Sequence, residues 1–247
     1  MVSNASFDGE LIGALRTARF LAALTGAGIS AESGLATFRD AQTGLWARYD
    51  PHELATPAAF ARNPQRVWDW YAWRRQLATA AVPNAGHVAL VALEQRVPEF
   101  ALVTQNVDGL HQRAGSRNVV ELHGNIGRVK CSREGTPVTQ WETTVGSVPR
   151  CAQCGALLRP DVVWFDERLP EEALAAAEDA VRRCRVLLVV GTSAEVYPAA
   201  ALPDLARRSG ALVVEINPSA TALSATADRV LRGAAGTVLP ALLAQLD

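Results

Sequence analysis

The chain has 247 residues, 49% hydrophobic and 20% charged, enough to bury a sizeable core and too apolar for wholesale disorder. Its formal net charge of -1 removes the basic excess that nucleic acid or an anionic membrane surface would call for. The longest apolar runs, such as Val186 to Val190, are too short to span a bilayer, no signal-like segment opens the chain, and the four cysteines read as thiols or metal ligands, so a soluble, cytoplasmic monomer is expected.

In chain order, residues 10–19 read as a helix, with Leu11, Leu15 and Ala18 on one face. "RFLAALTGAG" reads as a buried strand running into a glycine turn. Residues 34–63 are rich in turn formers and aromatics, with Pro51, Pro57 and Pro64 as punctuation. Helix resumes at "PQRVWDWYAWRRQLATAA", where Pro64 suits the first turn, and again from about Gly86 to Arg96. "FALVTQNVDGLHQRAG" is a strand, a loop and a short helix, and "NVVELHGN" is a short strand entering a loop. Residues 127–158 hold three of the four cysteines and few aliphatic residues. "PDVVWFDE" reads as extended and residues 170–183 as an Ala/Glu-rich helix. "RVLLVVGTS" and "ALVVEINPS" are strands with a helix between them, and a short strand and a helix close the chain.

Near-continuous apolar strands alternating with helices predict an α/β fold, a Rossmann-like parallel sheet with helices on both faces. Ligands of such sheets bind at the carboxyl ends of the strands, which here read GAG, TQNVD, GTS and NPS. The expected layout assigns residues 1–44, 81–126 and 159–247 to the sheet domain. Residues 45–80 and 127–158 form a smaller lobe, part helical and part zinc-ribbon-like.

Gly26 and Gly28 let the backbone approach a pyrophosphate closely, but the turn alone leaves a phosphate site and a plain structural turn both open. It departs from the dehydrogenase fingerprint: Ala31 stands where the third glycine belongs, and the acid expected about 20 residues on is not evident. Arg39 offers a planar cation. Gln105, Asn106 and Asp108 follow a strand end, where an Asn/Asp pair can read a carboxamide. His123 lies between an apolar stretch and a glycine and could serve as a general base, whereas His52, His87 and His111 read as packed or exposed residues.

"GAGIS", "GLATFR", "TQNVDGLHQRAG", "ELHGN", a CxxC pair, "RPDVVWFDE", "GTS" and "INPS" occur in the order and spacing of the sirtuin family. The resemblance covers roughly residues 10–245. It implies an NAD-dependent protein-lysine deacylase that consumes NAD and acts on acyl-lysine proteins or peptides, releasing lysine, nicotinamide and O-acyl-ADP-ribose. It implies that His123 acts as general base on a ribose hydroxyl. Asn106, Val107 and Asp108 would line the nicotinamide pocket, with Gln105 on a ribose. Gly26, Ala27, Gly28, Ile29, Phe38 and Arg39 would form the phosphate and nicotinamide-shielding loop. Gly191, Thr192, Ser193, Asn217 and Ala235 would contact the adenosine end.

Tyr71 and Arg74 are three apart, on one face of a helix. By themselves they read as a core tyrosine and an exposed arginine beside Arg75. In the branch of the family that removes succinyl and malonyl groups, a Tyr-x-x-Arg pair receives the acyl carboxylate, and Ala55 matches a small residue that widens that pocket. Val162, Val163, Trp164 and Phe165 match the segment that takes the peptide as an added strand, with Asp166 in place of a usual glycine. Ala36-Thr37 also depart from the family pattern. The metal site is incomplete: Cys151 and Cys154 form one pair, but Cys131 is followed at the second position by Glu134. Zinc on three thiolates, completed by water, Glu134 or another side chain, and a lobe packed without metal both remain open. Cys184 reads as a buried thiol. A mono-ADP-ribosyltransferase and a non-catalytic NAD- or ADP-ribose-binding module are the rival readings.

Overall fold

The computed structural model describes residues 7–37, 50–142 and 146–246. A six-stranded sheet forms the larger unit, built from β1 (Phe20–Thr25), β2 (Glu99–Thr104), β3 (Val119–Glu121), β7 (Val186–Val190), β8 (Leu212–Asn217) and β9 (Arg229–Arg232). All neighbours are parallel, in the order β3-β2-β1-β7-β8-β9. Every residue of β1 and of β7 is buried, as their unbroken apolar runs require of strands covered on both faces.

Two cores lie against the two faces. One packs Leu21, Leu102, Leu188 and Val214 against the helices α1 (Gly9–Thr17) and α5 (Ala85–Arg96) and the C-terminal helix α9 (Ala235–Ala244). The other packs Leu24, Val103, Leu187 and Val213 against α7 (Glu171–Arg183) and α8 (Leu202–Arg208). Alternate strand residues serve alternate cores because strand side chains alternate in direction. This is the Rossmann-like architecture that the strand and helix pattern predicts. Among the described residues no single helix is long and apolar enough to cross a membrane.

The smaller unit joins an antiparallel sheet in the order β5-β4-β6 to three helices. Its strands are β4 (Gly124–Cys131), β5 (Pro137–Val138) and β6 (Leu158–Val162), so the sheet reaches a few residues past both ends of the 127–158 segment. The helices are α2 (Pro51–Leu54), α3 (Pro57–Arg62) and α4 (Pro64–Ala80). Each begins with proline after a side-chain cap, from Asp50, Thr56 and Asn63 in turn. Helix α4 is buried on two sides: Trp70 and Tyr71 pack with Phe60 and Trp164, while Trp68 packs over Cys131 and Cys151.

The segment 160–167 corrects the expectation of an extended stretch. The strand closes at Val162, and the chain turns so that the Glu167 N–H reaches the Trp164 carbonyl at 3.2 Å. Asp166 takes φ +68°, a left-handed conformation that aspartate tolerates better than most residues.

Strand order reverses between β1 and β7, and there the backbones nearly touch. Gly26 N–H bonds the Val190 carbonyl at 3.0 Å and Gly28 N–H the Gly191 carbonyl at 2.8 Å. Gly191 has φ +62°, and a Cβ on it would lie 2.4 Å from the Ile29 nitrogen. Gly34 has φ +83° but open space around it. Gly34→Ala should therefore cost about 1–2 kcal/mol, the left-handed penalty alone, and Gly191→Ala clearly more. Urea denaturation of the two variants checks this, and equal losses would refute the crowding.

Candidate functional site

The cleft lies at the carboxyl ends of β1, β2, β7 and β8, beside the switch in strand order. Leaving β1, residues Ala27–Ser33 form a 3-10 turn that buries Ile29 and Ser30. Gly26, Ala27, Gly28 and Ile29 thus stand against Gly191 and Thr192 at the tip of β7. Phe38 and Arg39 lie outside the described residues.

Beyond β2, Gln105 donates from Nε2 to Thr192 Oγ1 at 3.0 Å, bridging the two halves of the sheet. Asn106 is 6% exposed and donates to Ser30 Oγ at 3.2 Å. Ser30 in turn donates to Asp108 Oδ2 at 2.8 Å, and the Leu110 N–H donates to Asp108 Oδ1 at 2.9 Å. Asn106 and Asp108 are therefore held by one hydroxyl, which came from the glycine turn. The Val107 carbonyl accepts the Ile126 N–H at 2.8 Å and ties this loop to β4. On the adenosine-side expectation, Asn217 donates to the Thr192 carbonyl at 3.1 Å, Ser193 follows Thr192 on the same loop, and Ala235 opens α9. Glu32 accepts the Gly236 N–H at 2.7 Å and anchors that helix end to the glycine turn.

His123 sits between β3 and β4. Its Nδ1 lies 2.9 Å from the Gln105 carbonyl. A carbonyl only accepts, so Nδ1 carries the proton and Nε2 keeps its lone pair. Burial pushes the His123 pKa below its ordinary 6.5, against the opposing pull of the Gln105 carbonyl.

Sequence reasoning left a buried polar layer beneath this cleft unassigned. Thr25 donates to Thr104 at 2.8 Å and lies 2.9 Å from His111 Nε2. His87 approaches Ser30 at 3.5 Å and stacks near His111, ring centroids 4.9 Å apart. Burial, followed by the neighbouring His87, pushes His111 down to about 3, so it is neutral through the physiological range. A lone histidine in an apolar-looking helix gives no sequence signal that a serine from a distant turn will meet it.

Tyr71 is 4% exposed, and burial raises its pKa. The Arg74 guanidinium lies 4.8 Å from the Trp70 ring and 5.6 Å from the Tyr71 ring. Desolvation lowers its pKa, while Tyr71 and Asp108 pull the other way, which puts the Tyr71–Arg74 pair within electrostatic range of the cleft. Ala55 is buried, and its carbonyl accepts the Phe165 N–H at 2.9 Å. The Val163 N–H bonds the His123 carbonyl at 2.9 Å, and the Trp164 N–H bonds Glu167 at 2.8 Å.

This edge is held by a clamp that the motifs did not single out. Arg159, 7% exposed, pairs with both Glu167 oxygens at 2.6 and 2.9 Å, donates to the Val162 carbonyl and lies 3.4 Å from the Trp164 ring centroid.

Cys131, Cys151 and Cys154 bring their sulfurs within 4.8 Å of one another, with Cys131 and Cys154 3.5 Å apart. Tetrahedral zinc with bonds of about 2.3 Å separates sulfurs by about 3.8 Å, so the three thiols fit that ion. The backbone N–H of Glu134, then desolvation opposing it and the N–H of Arg133 assisting, leave the Cys131 thiol below its ordinary pKa. Cys184 lies elsewhere, at the end of α7, and burial pushes it up to about 12, which suits an inert core thiol.

The sequence pattern of the Sir2 family matches residues 26–198, and the chain belongs to that family. It is 51% identical to an NAD-dependent protein deacylase of Ralstonia nicotianae, over 98% of both chains. It is 53% identical to an NAD-dependent protein deacylase of Aquifex aeolicus, over 87% of this chain and 90% of that one. Among solved structures, a Sir2 homolog–NAD complex superposes with TM-score 0.90 at 46% identity, covering 98% of this chain and 94% of that one. A Sir2–p53 peptide–NAD+ complex superposes with TM-score 0.82 at 32% identity, covering 97% and 98%.

Burial raises the Glu167 pKa, but Arg159 and the Trp164 N–H outweigh it and leave the carboxylate below its ordinary range. Its folded pKa is depressed, so its stabilisation is present above the ordinary value of 4.5 and fades as pH falls through the folded value. Glu167→Gln, which leaves Arg159 buried with half a partner, should cost about 3 kcal/mol at neutral pH. The double change Arg159→Met/Glu167→Gln should cost less than the two singles added together. Denaturant titrations of the cycle measure both.

Proposed function

We propose that this chain is an NAD-dependent protein-lysine deacylase whose pocket accepts short acyl groups ending in a carboxylate, succinyl and malonyl, as well as acetyl. The observation that carries the reading is the convergence, at the carboxyl ends of the strands, of the glycine turn, the Ser30-linked Asn106 and Asp108, and a histidine whose Nδ1 is held by the Gln105 carbonyl with Nε2 bare. The names of its relatives, NAD-dependent protein deacylases, support the deacylase part of it.

Bound NAD would supply an ADP-ribosyl group that takes the acyl group from the lysine nitrogen as nicotinamide leaves, with one water consumed overall. The chain's own residues do the rest. Gly26, Ala27, Gly28 and Ile29 bring backbone against the phosphates, and Gly191, Thr192, Ser193, Asn217 and Ala235 hold the adenosine end. Asn106 and Asp108, fixed by Ser30, orient the nicotinamide carboxamide over Val107, and Gln105 meets a ribose. His123 Nε2 takes a proton from a ribose hydroxyl, and the Gln105 carbonyl steadies the imidazolium that results. Val162, Val163, Trp164 and Phe165 align the acyl-lysine peptide. Arg74 pairs with the distal carboxylate while the Tyr71 phenol, kept protonated by burial, donates to it, and Ala55 leaves room. Zinc would be held by Cys131, Cys151 and Cys154 as a cross-link between the turns of the small sheet, remote from the chemistry.

A panel of acetyl-, malonyl- and succinyl-lysine peptides with NAD, read by mass spectrometry, tests the reading. ADP-ribose found on the protein rather than the acyl group would favour transferase chemistry. His123→Ala should abolish turnover while the protein stays folded. Because burial lowers the His123 pKa, Nε2 stays unprotonated below the ordinary value, and the acid limb of kcat/KM should fall below pH 6.5. Arg74→Met should reduce desuccinylation far more than deacetylation, by roughly tenfold or more for loss of a charge-assisted pair. Equal losses on both substrates would refute the pocket.

A further inference from the structure

The two turns that carry the cysteines are copies of one another. In the first, the Cys131 N–H bonds the Thr136 carbonyl at 2.9 Å and the Gly135 N–H bonds the Cys131 carbonyl at 3.0 Å. In the second, the Cys151 N–H bonds the Ala156 carbonyl at 2.7 Å and the Gly155 N–H bonds the Cys151 carbonyl at 2.9 Å. Gly135 and Gly155 occupy the same left-handed conformation, at φ +68° and +71°. Position by position, Cys131 matches Cys151, Ser132 and Arg133 match the exposed Ala152 and Gln153, and Glu134 matches Cys154. Position 154 is the one from which the second turn delivers its second sulfur to the cluster.

From this correspondence we infer that Glu134 supplies the fourth donor of a zinc site, with Cys131, Cys151 and Cys154 as the other three. The turn aims position 134 at the cluster as it aims position 154. Glu134 is exposed and its carboxylate stands outside the sulfur cluster, so its side chain must turn inward to bind. Zinc accepts carboxylate oxygen alongside thiolate, and three thiolates plus one carboxylate carry the same formal charge as four thiolates. Within the same turn the other side chains do not substitute. Arg133 is a cation, and the Ser132 backbone is committed to the Leu157 carbonyl at 3.0 Å in a position whose twin, Ala152, faces solvent. The oxygen arm is longer than a cysteine and sits at the surface, so this corner of the site should exchange metal more readily than a four-thiolate site.

The test uses the full-length protein without NAD or peptide, so it stands apart from the deacylase reading. Wild type, Glu134→Ala, Glu134→Gln and Glu134→Cys are loaded with Co2+ for absorption spectra, and zinc retention is measured against a competing chelator. Wild type should show tetrahedral ligand-field bands. Glu134→Ala and Glu134→Gln should both shift those bands and weaken zinc retention by roughly tenfold or more. Glu134→Cys should add thiolate charge-transfer intensity and tighten retention. Spectra and retention unchanged in Glu134→Ala and Glu134→Gln would overturn the assignment, as would a wild type that binds neither metal. Position 134 is exposed, so the Gln variant preserves the fold and keeps the comparison decisive.

Discussion

The close contact between Gly28 and Gly191 is the constraint on which the rest depends. The carboxyl tips of β1 and β7 meet with backbone against backbone, because neither position tolerates a Cβ. That contact forces the chain after β1 into the turn that buries Ser30. Ser30 then becomes the hub for Asn106 and Asp108, which arrive from β2. Gln105 reaches back from the same loop to Thr192. Four strand tips are thus joined by short polar links at the one place where an open parallel sheet offers a crevice.

The smaller lobe completes the site by holding one edge of it. Its sheet begins at Gly124, immediately after His123, so the histidine sits at the junction of the two units. The segment after β6 returns to the His123 carbonyl through Val163 and to Ala55 through Phe165. Arg159 and Glu167 fold the turn between them under the Trp164 ring. This edge combines the buried Arg159–Glu167 pair with the lobe's own apolar core, in which Trp70, Tyr71, Phe60 and Trp164 pack together.

Burial also sorts the histidines. His111 is driven far down and stays neutral beside His87, whereas His123 is lowered with one nitrogen committed to a carbonyl. The same desolvation acts on both; what differs is the partner, a threonine hydroxyl at His111 Nε2 and a backbone carbonyl at His123 Nδ1.

The strands were legible in the sequence because their apolar runs are continuous, and the start of α4 because Pro64 is a local signal, whereas α2 and α3 lie in a stretch that reads as turn-rich. The polar strand tips were legible too, as the glycine, asparagine and serine clusters that end the apolar runs. The turn at Trp164–Glu167 was not, because its cause is Arg159, eight residues before Glu167 and tied to it only once β6 is in place. The Ser30–His87–His111 layer was hidden for the same reason: its members come from three separate elements. Likewise, the matching of Glu134 to Cys154 needs the hydrogen bonds of both turns, which no spacing rule contains. By itself, then, the sequence determined the elements, the sheet class and the residue types at the strand tips, because propensity and periodicity act within a few residues. Which of those residues touch, and which nitrogen or carboxylate is left to act, was decided only by tertiary structure, because desolvation and hydrogen-bond partnership depend on what the folded chain brings close.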